Sequence, residues 1–330
     1  MSDRVNIQPD RVQSLFTKHK GIGIEDVTIN KVSGGFTGAS KFIIQYKNKK
    51  YFLKVADRRL QSMDAYLIES EASIYKFLGG LQLCGTLFPL SDGLIQNDDL
   101  TALVLDNINA TWGGPWSKEN IVLLDAAIEK LHNTPLKSED KDRIEEIARN
   151  VRKIIGDKPK DDSEEAKQKK RDLFWETWSE SLGGFVDSQN IVYFEADAGI
   201  AGRILELAEN NVEVTQKLTM QDMNFSNIGF LSDKVFFVDP VYMKLGDPEF
   251  DRTVAGVNIL LQLNNRVSTE LSDLILYKFF RSKEMLAKLI VYYTFSSHKK
   301  LDKSQKVWQK FHQECAVVAL KIFKDFEKKS

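Results

Sequence analysis

Cysteine is nearly absent from this 330-residue chain: Cys84 and Cys315 are the only two, and they stand far apart. That excludes a disulfide scaffold and a cysteine-rich zinc site. Histidine is scarce as well. His19, His132, His298 and His312 lie outside the polar motifs described below, so histidine acid–base chemistry is not the expected mechanism, and His132 reads as structural. No apolar run approaches the roughly 18 residues that suggest a membrane span. The opening MSDRVNIQPDRVQSLF lacks the apolar core of a signal peptide, which predicts a cytoplasmic protein with no membrane partner. Neither sign of charge dominates: 46 Lys and Arg face 47 Asp and Glu, for a net charge of −1. No global field therefore recruits nucleic acid or an anionic surface, and charge selectivity must be local. No internal repeat is visible, and the mixed-charge stretch KPKDDSEEAKQKKRD at 158–172 reads as a solvated helix or loop.

What is present suits a folded protein with two lobes. Hydrophobic residues make up 42% and charged residues 28%, and the length exceeds what one compact core usually holds. Val12, Leu15 and Phe16 at helical spacing precede the alternating run DVTINKVS. SKFIIQY and YFLKVA then form a hairpin pattern across KNKK. From Met63 to Leu78, Tyr66, Ile68, Ile74, Phe77 and Leu78 mark one amphipathic helix, with Gly79 and Gly80 as stop signals. GLIQNDDLTALVLDNI reads as a second hairpin turning at Asn97 to Asp99. Beyond Leu105 the patterns become helical, at 118–131, 139–155, 199–210, 253–264, 270–297 and 303–327, interrupted by a hairpin at 228–240. The expected division is an N-terminal lobe at 1–105 and a helical lobe at 106–330.

Two constellations carry chemistry. In SGGFTGAS, Gly34, Gly35 and Gly38 would let backbone amides approach phosphate oxygens, although glycines between strands often mark only a turn. One strand later Lys54 sits among apolar neighbours, where an ammonium needs an anionic partner. Glu71 in the following helix is placed to hold it, while Glu69 faces another side. The second set is Asp222, then Asn227, then Asp239 behind Val235, Phe236, Phe237 and Val238. Phosphoryl transfer needs a carboxylate at the acceptor hydroxyl and oxygen ligands for magnesium. Asp222 suits the first task; Asn227 and Asp239 suit the second. Taken singly, Asp222 and Asn227 are turn formers and Asp239-Pro240 merely ends a strand.

In order, these elements resemble the aminoglycoside phosphotransferase and choline kinase-like superfamily, over roughly residues 25–265. VSGGFTGASKFII is similar to its nucleotide flap, YFLKVA to its lysine strand, ESEASIYKFLG to its glutamate helix and LVLDNINATW to its hinge. AIEKLHNTPL, QDMNFSNIGF, VFFVDP and LGDPEFDR follow as the Leu-His helix end, catalytic loop, metal strand and Gly-Asp-Pro element. The resemblance implies an α+β, bilobal protein-kinase-like fold: an antiparallel-sheet N-lobe with one main helix, and a mainly helical C-lobe. It implies a small-molecule kinase with Mg2+ and ATP or GTP as co-substrate, acting on a small hydroxylated acceptor. Asp222 would be catalytic, Asn227 and Asp239 metal ligands, and Asp251 a brace for the loop. Gly34, Gly35, Gly38, Lys54 and Glu71 would serve the phosphates, with Leu103, Leu105 and Asp106 at the adenine. Met220-Gln221 replaces the family's usual His-Gly, so a nucleotide-binding pseudokinase or regulatory scaffold without turnover is the alternative. Protein phosphorylation is disfavoured because Asp239 to Asp251 is too short for an activation segment, and SGGFTGAS opens no helix as a dinucleotide fingerprint would. Aminoglycoside, amino alcohol, ketosamine and sugar acceptors stay open, as does oligomeric state. Glu195, Asp197 and Glu249 are candidate acidic contacts. Trp175 and Trp178 share a helical face, read as packing, and Trp112 and Trp116 are read as packing where the lobes meet.

Overall fold

In a computed structural model, residues 5–32, 38–156, 163–182, 198–210, 214–264, 268–298 and 306–329 are described. Helix α1 (Pro9–Lys20) starts with proline in its first turn and ends at Gly21, whose φ of 65° is the left-handed value that favours glycine. Strands β1 (Val27–Val32), β2 (Ser40–Tyr46) and β3 (Lys49–Asp57) follow, then helix α2 (Ser62–Gly80) and strands β4 (Ser91–Gln96) and β5 (Leu100–Asp106). They form one antiparallel sheet in the order β1-β2-β3-β5-β4.

The two-residue period of these strands gives the sheet two different faces. Phe42, Ile44, Leu53, Val55, Ala102 and Val104 cluster with Val12, Leu15 and Phe16 of α1. Phe16 meets Tyr51 at 5.2 Å between ring centroids. On the opposite side Ala56, Leu103 and Leu105 join a second cluster with Ala65, Ile68 and Ile74 of α2. Tyr66, expected on the buried face of α2, is exposed; Ala65 and Tyr75 complete that face instead. The helix closes at Gly80, with both glycines of the expected stop signal as its last two residues.

The rest of the chain contributes β6 (Thr111–Trp112), α3 (Lys118–His132), α4 (Ser138–Ile154), α5 (Glu164–Leu182), α6 (Ala198–Glu209), β7 (Lys217–Thr219), β8 (Ile228–Leu231), β9 (Lys234–Phe237) and β10 (Lys244–Gly246). Helices α7 (Pro248–Leu263), α8 (Thr269–Phe279), α9 (Lys283–His298) and α10 (Lys306–Lys329) complete it. The expected hairpin is β8–β9, and β6 adds to its edge. The pair β7–β10, which has three residues on each side, carried too short a pattern to be read. The single helix expected over 270–297 is two. Phe280 is buried where the chain leaves α8, and the Ser282 hydroxyl accepts from the Met285 amide, a cap that restarts the helix.

Candidate active site

The site begins with a tight corner between β3 and α2. The Asp57 carboxylate accepts from the amides of Arg59 and Leu60, both at 3.0 Å. This sets the phase of α2 so that Ala65, Ile68, Glu71 and Tyr75 share its buried side. Lys54, 5% exposed, places Nζ 2.8 and 2.9 Å from the two Glu71 carboxylate oxygens. It also contacts the Asp239 carboxylate. Burial pulls the Lys54 pKa down and Glu71 opposes that, so the ammonium is held by its partners rather than by water. Glu69, two residues earlier and on another side of α2, accepts from Gln96 Nε2 at 2.8 Å.

The loop between β7 and β8 hangs from Asp251 in the first turn of α7. The fully buried Asp251 carboxylate accepts from the amides of Met220 and Gln221, each at 2.8 Å. His132, at the end of α3, lies 3.1 Å from the same carboxylate through Nε2, and Arg252 reaches its Nδ1 at 3.2 Å. Because the guanidinium can only donate, Nδ1 accepts and Nε2–H donates to Asp251. His132 is therefore not remote from the motifs, as its position in sequence suggested: it is a second brace behind the loop. Its signal was the Leu-His helix end, and the pairing depends on two helices 119 residues apart in sequence.

The departure at Met220-Gln221 has a structural account. Met220 is fully buried in the main core, so packing occupies the place of the usual polar anchor. Gln221 takes φ 65°, a left-handed conformation that glycine adopts more cheaply, and its side chain donates to Thr219 Oγ1 at 2.8 Å. Asp222 follows, half-buried, accepting from the side-chain amides of Asn224 and Asn227. Burial pushes its carboxyl up to about 6, while the Asn227 and Asn224 hydrogen bonds pull the other way.

Asn227 and Asp239 are brought together by one backbone bond, in which the Val238 amide donates to the Asn227 carbonyl at 3.1 Å. Asn227 spends its amide protons on the Asp222 backbone oxygen and carboxylate, both at 3.1 Å, which orients its side-chain oxygen the other way. Asp239 sits at φ 59° just past β9, and Pro240 opens a short turn behind it. An amide oxygen and a carboxylate make a fitting pair for a hard divalent cation that draws its remaining ligands from elsewhere. Among the described residues, no group of three or more His, Cys, Asp or Glu forms a metal cluster.

Other expected residues divide differently. Gly34 and Gly35 lie outside the described residues, as do Glu195 and Asp197. Gly38 is described, and its amide donates to Asp64 while its carbonyl accepts from Gln61 Nε2 at 2.6 Å. An added Cβ there would meet the Asp64 carboxylate at 2.3 Å, the far end of a side chain free to turn aside, so the segment runs close to the start of α2. On β5, Leu103 and Leu105 stand opposite Lys54 and Phe52, on the face that packs with α2. The amides of Asp106 and Asn107 already donate to Leu90 and Lys50 carbonyls, so an adenine edge must be met by other groups of that segment. Glu249 is partly buried beside Arg252 rather than free. Trp116 packs edge-on against Phe230 at 5.6 Å and donates to Gln262, while Trp112 covers Gly229. Trp178 is buried on Phe174, but Trp175 on the same helix is 40% exposed. Sequence reasoning missed Tyr242 and Tyr292. Partial burial raises both phenols, and each also feels the Asp222 charge.

No family model matches the chain, and no curated protein sequence does. Solved structures do. Spectinomycin phosphotransferase, in complex with ADP and spectinomycin, is 14% identical with a TM-score of 0.61, covering 96% of this chain and 99% of that one. An ethanolamine kinase from Plasmodium vivax is 10% identical with a TM-score of 0.57, covering 98% and 93%. The choline kinase of Streptococcus pneumoniae is 13% identical with a TM-score of 0.52, covering 96% and 99%. The chain has the aminoglycoside phosphotransferase fold. At these identities the likeness establishes the bilobal, kinase-like architecture. Within that fold, the lysine–glutamate pair meets Asp239, and Asn227 links Asp239 to Asp222 on the loop that Asp251 holds.

Proposed function

We propose that the protein is a small-molecule kinase that moves the terminal phosphate of ATP or GTP to a hydroxyl of a small polar acceptor. The observation that carries this reading is the convergence of Lys54–Glu71, Asp222 and Asn227–Asp239 across the sheet, a helix and two loops. We take residues 1–105 as the lobe that holds the nucleotide and 106–330 as the lobe that supplies catalysis and the acceptor site. Lys54, fixed by Glu71, would meet the phosphates; Leu103 and Leu105 would line the adenine pocket. Asn227 and Asp239 would hold Mg2+, which when bound offsets the charge on the phosphates. Asp222 would take the proton from the acceptor hydroxyl as that oxygen bonds to phosphorus and the nucleoside diphosphate departs. A carboxyl poised near 6 is mostly ionised at neutral pH and is more basic than an ordinary aspartate. The pseudokinase alternative rested on Met220-Gln221, yet the loop retains both amide bonds to Asp251, which favours turnover. The folds reported above include proteins named for spectinomycin, ethanolamine and choline, so the acceptor is sought among aminocyclitols, amino alcohols and related polyols. No described helix is long and apolar enough to cross a membrane, and we place the enzyme in the cytoplasm.

The test is magnesium-dependent ADP release across aminoglycosides, amino alcohols, ketosamines and sugars. An acceptor should stimulate release, and Asp222→Ala should lower the stimulated rate by about 100-fold or more. An Asp222→Ala protein with the full stimulated rate would remove Asp222 from the chemistry.

A further inference from the structure

The face of the five-stranded sheet that packs with α2 carries a second lysine. Lys41 on β2 stands directly opposite Lys54 on β3. Opposed residues of antiparallel strands project from the same face, so both ammonium groups belong to the side of α2 and Glu71. Their strand neighbours Phe42, Leu53 and Val55 turn the other way, under α1. The two lysines are treated unequally. Lys54 is met by both oxygens of Glu71 and by Asp239. Lys41 has no ion-pair or hydrogen-bond partner among the described residues, and it is partly buried. Burial lowers its pKa against the pull of Glu71, and its charge in turn lowers that of Lys54.

Like charges directly opposite one another destabilise a sheet, and a partly buried cation without a counter-ion adds to that cost. An anion lying over both strands removes both penalties. The site proposed above supplies one, since the phosphate chain of a nucleotide is expected to meet Lys54. We propose that Lys41 is a second phosphate-binding residue of the nucleotide site, presenting its ammonium to the same phosphate chain that Lys54 meets from the next strand. This rests on the nucleotide-kinase reading and adds a specificity to it: Lys41 favours nucleoside di- and triphosphates over the bare nucleoside.

Calorimetric titration of the full chain with adenosine, ADP, ATP and inorganic tripolyphosphate, for the parent, Lys41→Met and Lys41→Arg, tests this. Lys41→Met should weaken ADP, ATP and tripolyphosphate about ten-fold and leave adenosine within about two-fold, while Lys41→Arg stays within about three-fold of the parent. Ligand-free Lys41→Met should melt no lower than the parent, because the repulsion with Lys54 is gone; a packing role would lower it. Equal weakening of adenosine and ATP, or unchanged ADP and ATP affinity in Lys41→Met, overturns the proposal. A parent that binds no nucleotide overturns the kinase reading instead, and the tripolyphosphate arm then still decides whether Lys41 holds phosphate.

Discussion

At the scale of single residues, the site keeps groups in states that the fold alone would not choose. Asp222 is the clearest case. Its carboxyl is raised from 3.8 to about 6 by burial, with the Asp251 charge adding to the rise. A folded-state pKa above the unfolded value means that the native protein binds the extra proton between those two limits. Stability in the absence of metal and nucleotide therefore falls as pH rises from about 4 through about 6, and the penalty is complete at neutral pH. Asp222→Asn removes the charge while keeping an oxygen for the Asn224 and Asn227 amides. We expect this variant, metal-free at pH 7, to be more stable than the parent by on the order of 2 kcal/mol, and the gain to vanish near pH 4. Urea unfolding at the two pH values checks it. A variant no more stable than the parent at pH 7 would mean that the Asp222 charge is solvated. Gln221 stores strain of the same kind on the backbone, at φ 65°.

At the scale of elements, the ends and close approaches of helices decide how the site is held. Helix α7 carries Asp251 in its first turn and Gly256 five residues further on. A Cβ on Gly256 would meet the Phe280 ring at 2.7 Å and Phe279 Cβ at 2.8 Å, so the glycine permits α7 and the end of α8 to touch. Two effects oppose in Gly256→Ala: alanine gains about 1 kcal/mol of helix propensity, and the clash costs about 1–3 kcal/mol. With a rigid ring and a second helix in the way, the clash should win, giving a net loss of up to about 2 kcal/mol. Gly79→Ala, near the exposed end of α2 where nothing lies within 4 Å of the new Cβ, should instead gain up to about 1 kcal/mol. The two urea midpoints must move in opposite directions; a gain in both would show that α7 and α8 can separate. These approaches were not legible in the sequence, where Gly256 lies inside an unbroken helical pattern. What was legible were the elements with long periodic runs, β2, β3, β5 and α3. The three-residue strands β7 and β10 and the break at Phe280 left too little pattern to read.

At the scale of the whole molecule, a site spread from Lys54 to Asp251 was legible because each polar residue sits at an element end or interrupts an apolar run. Lys54 amid YFLKVA and Asp239 behind VFFVD are such interruptions. Contacts that depend on strand register or helix packing were not: Lys41 against Lys54, and His132 against Asp251. Register and packing also account for the ion pair that joins β3 to the end of β9, between Lys54 and Asp239. Lys54 thus holds two carboxylates, but it needs only one to balance its charge. Glu71 binds it through both oxygens and is buried with it, whereas the Asp239 side chain is 30% exposed. Asp239 is the partner that can be given up, and a cation arriving with a nucleotide would compete with Lys54 for it. ADP with magnesium should therefore stabilise the parent by about 2.7 kcal/mol over the ligand-free protein when the complex is present at a hundred times its dissociation constant, and ADP with a chelator should stabilise it by less. In Asp239→Asn the magnesium-dependent increment should disappear while stabilisation by ADP alone remains, because Lys54 and Glu71 are untouched. Thermal unfolding of both proteins under the two conditions decides it. An increment retained in Asp239→Asn would place the metal on other ligands.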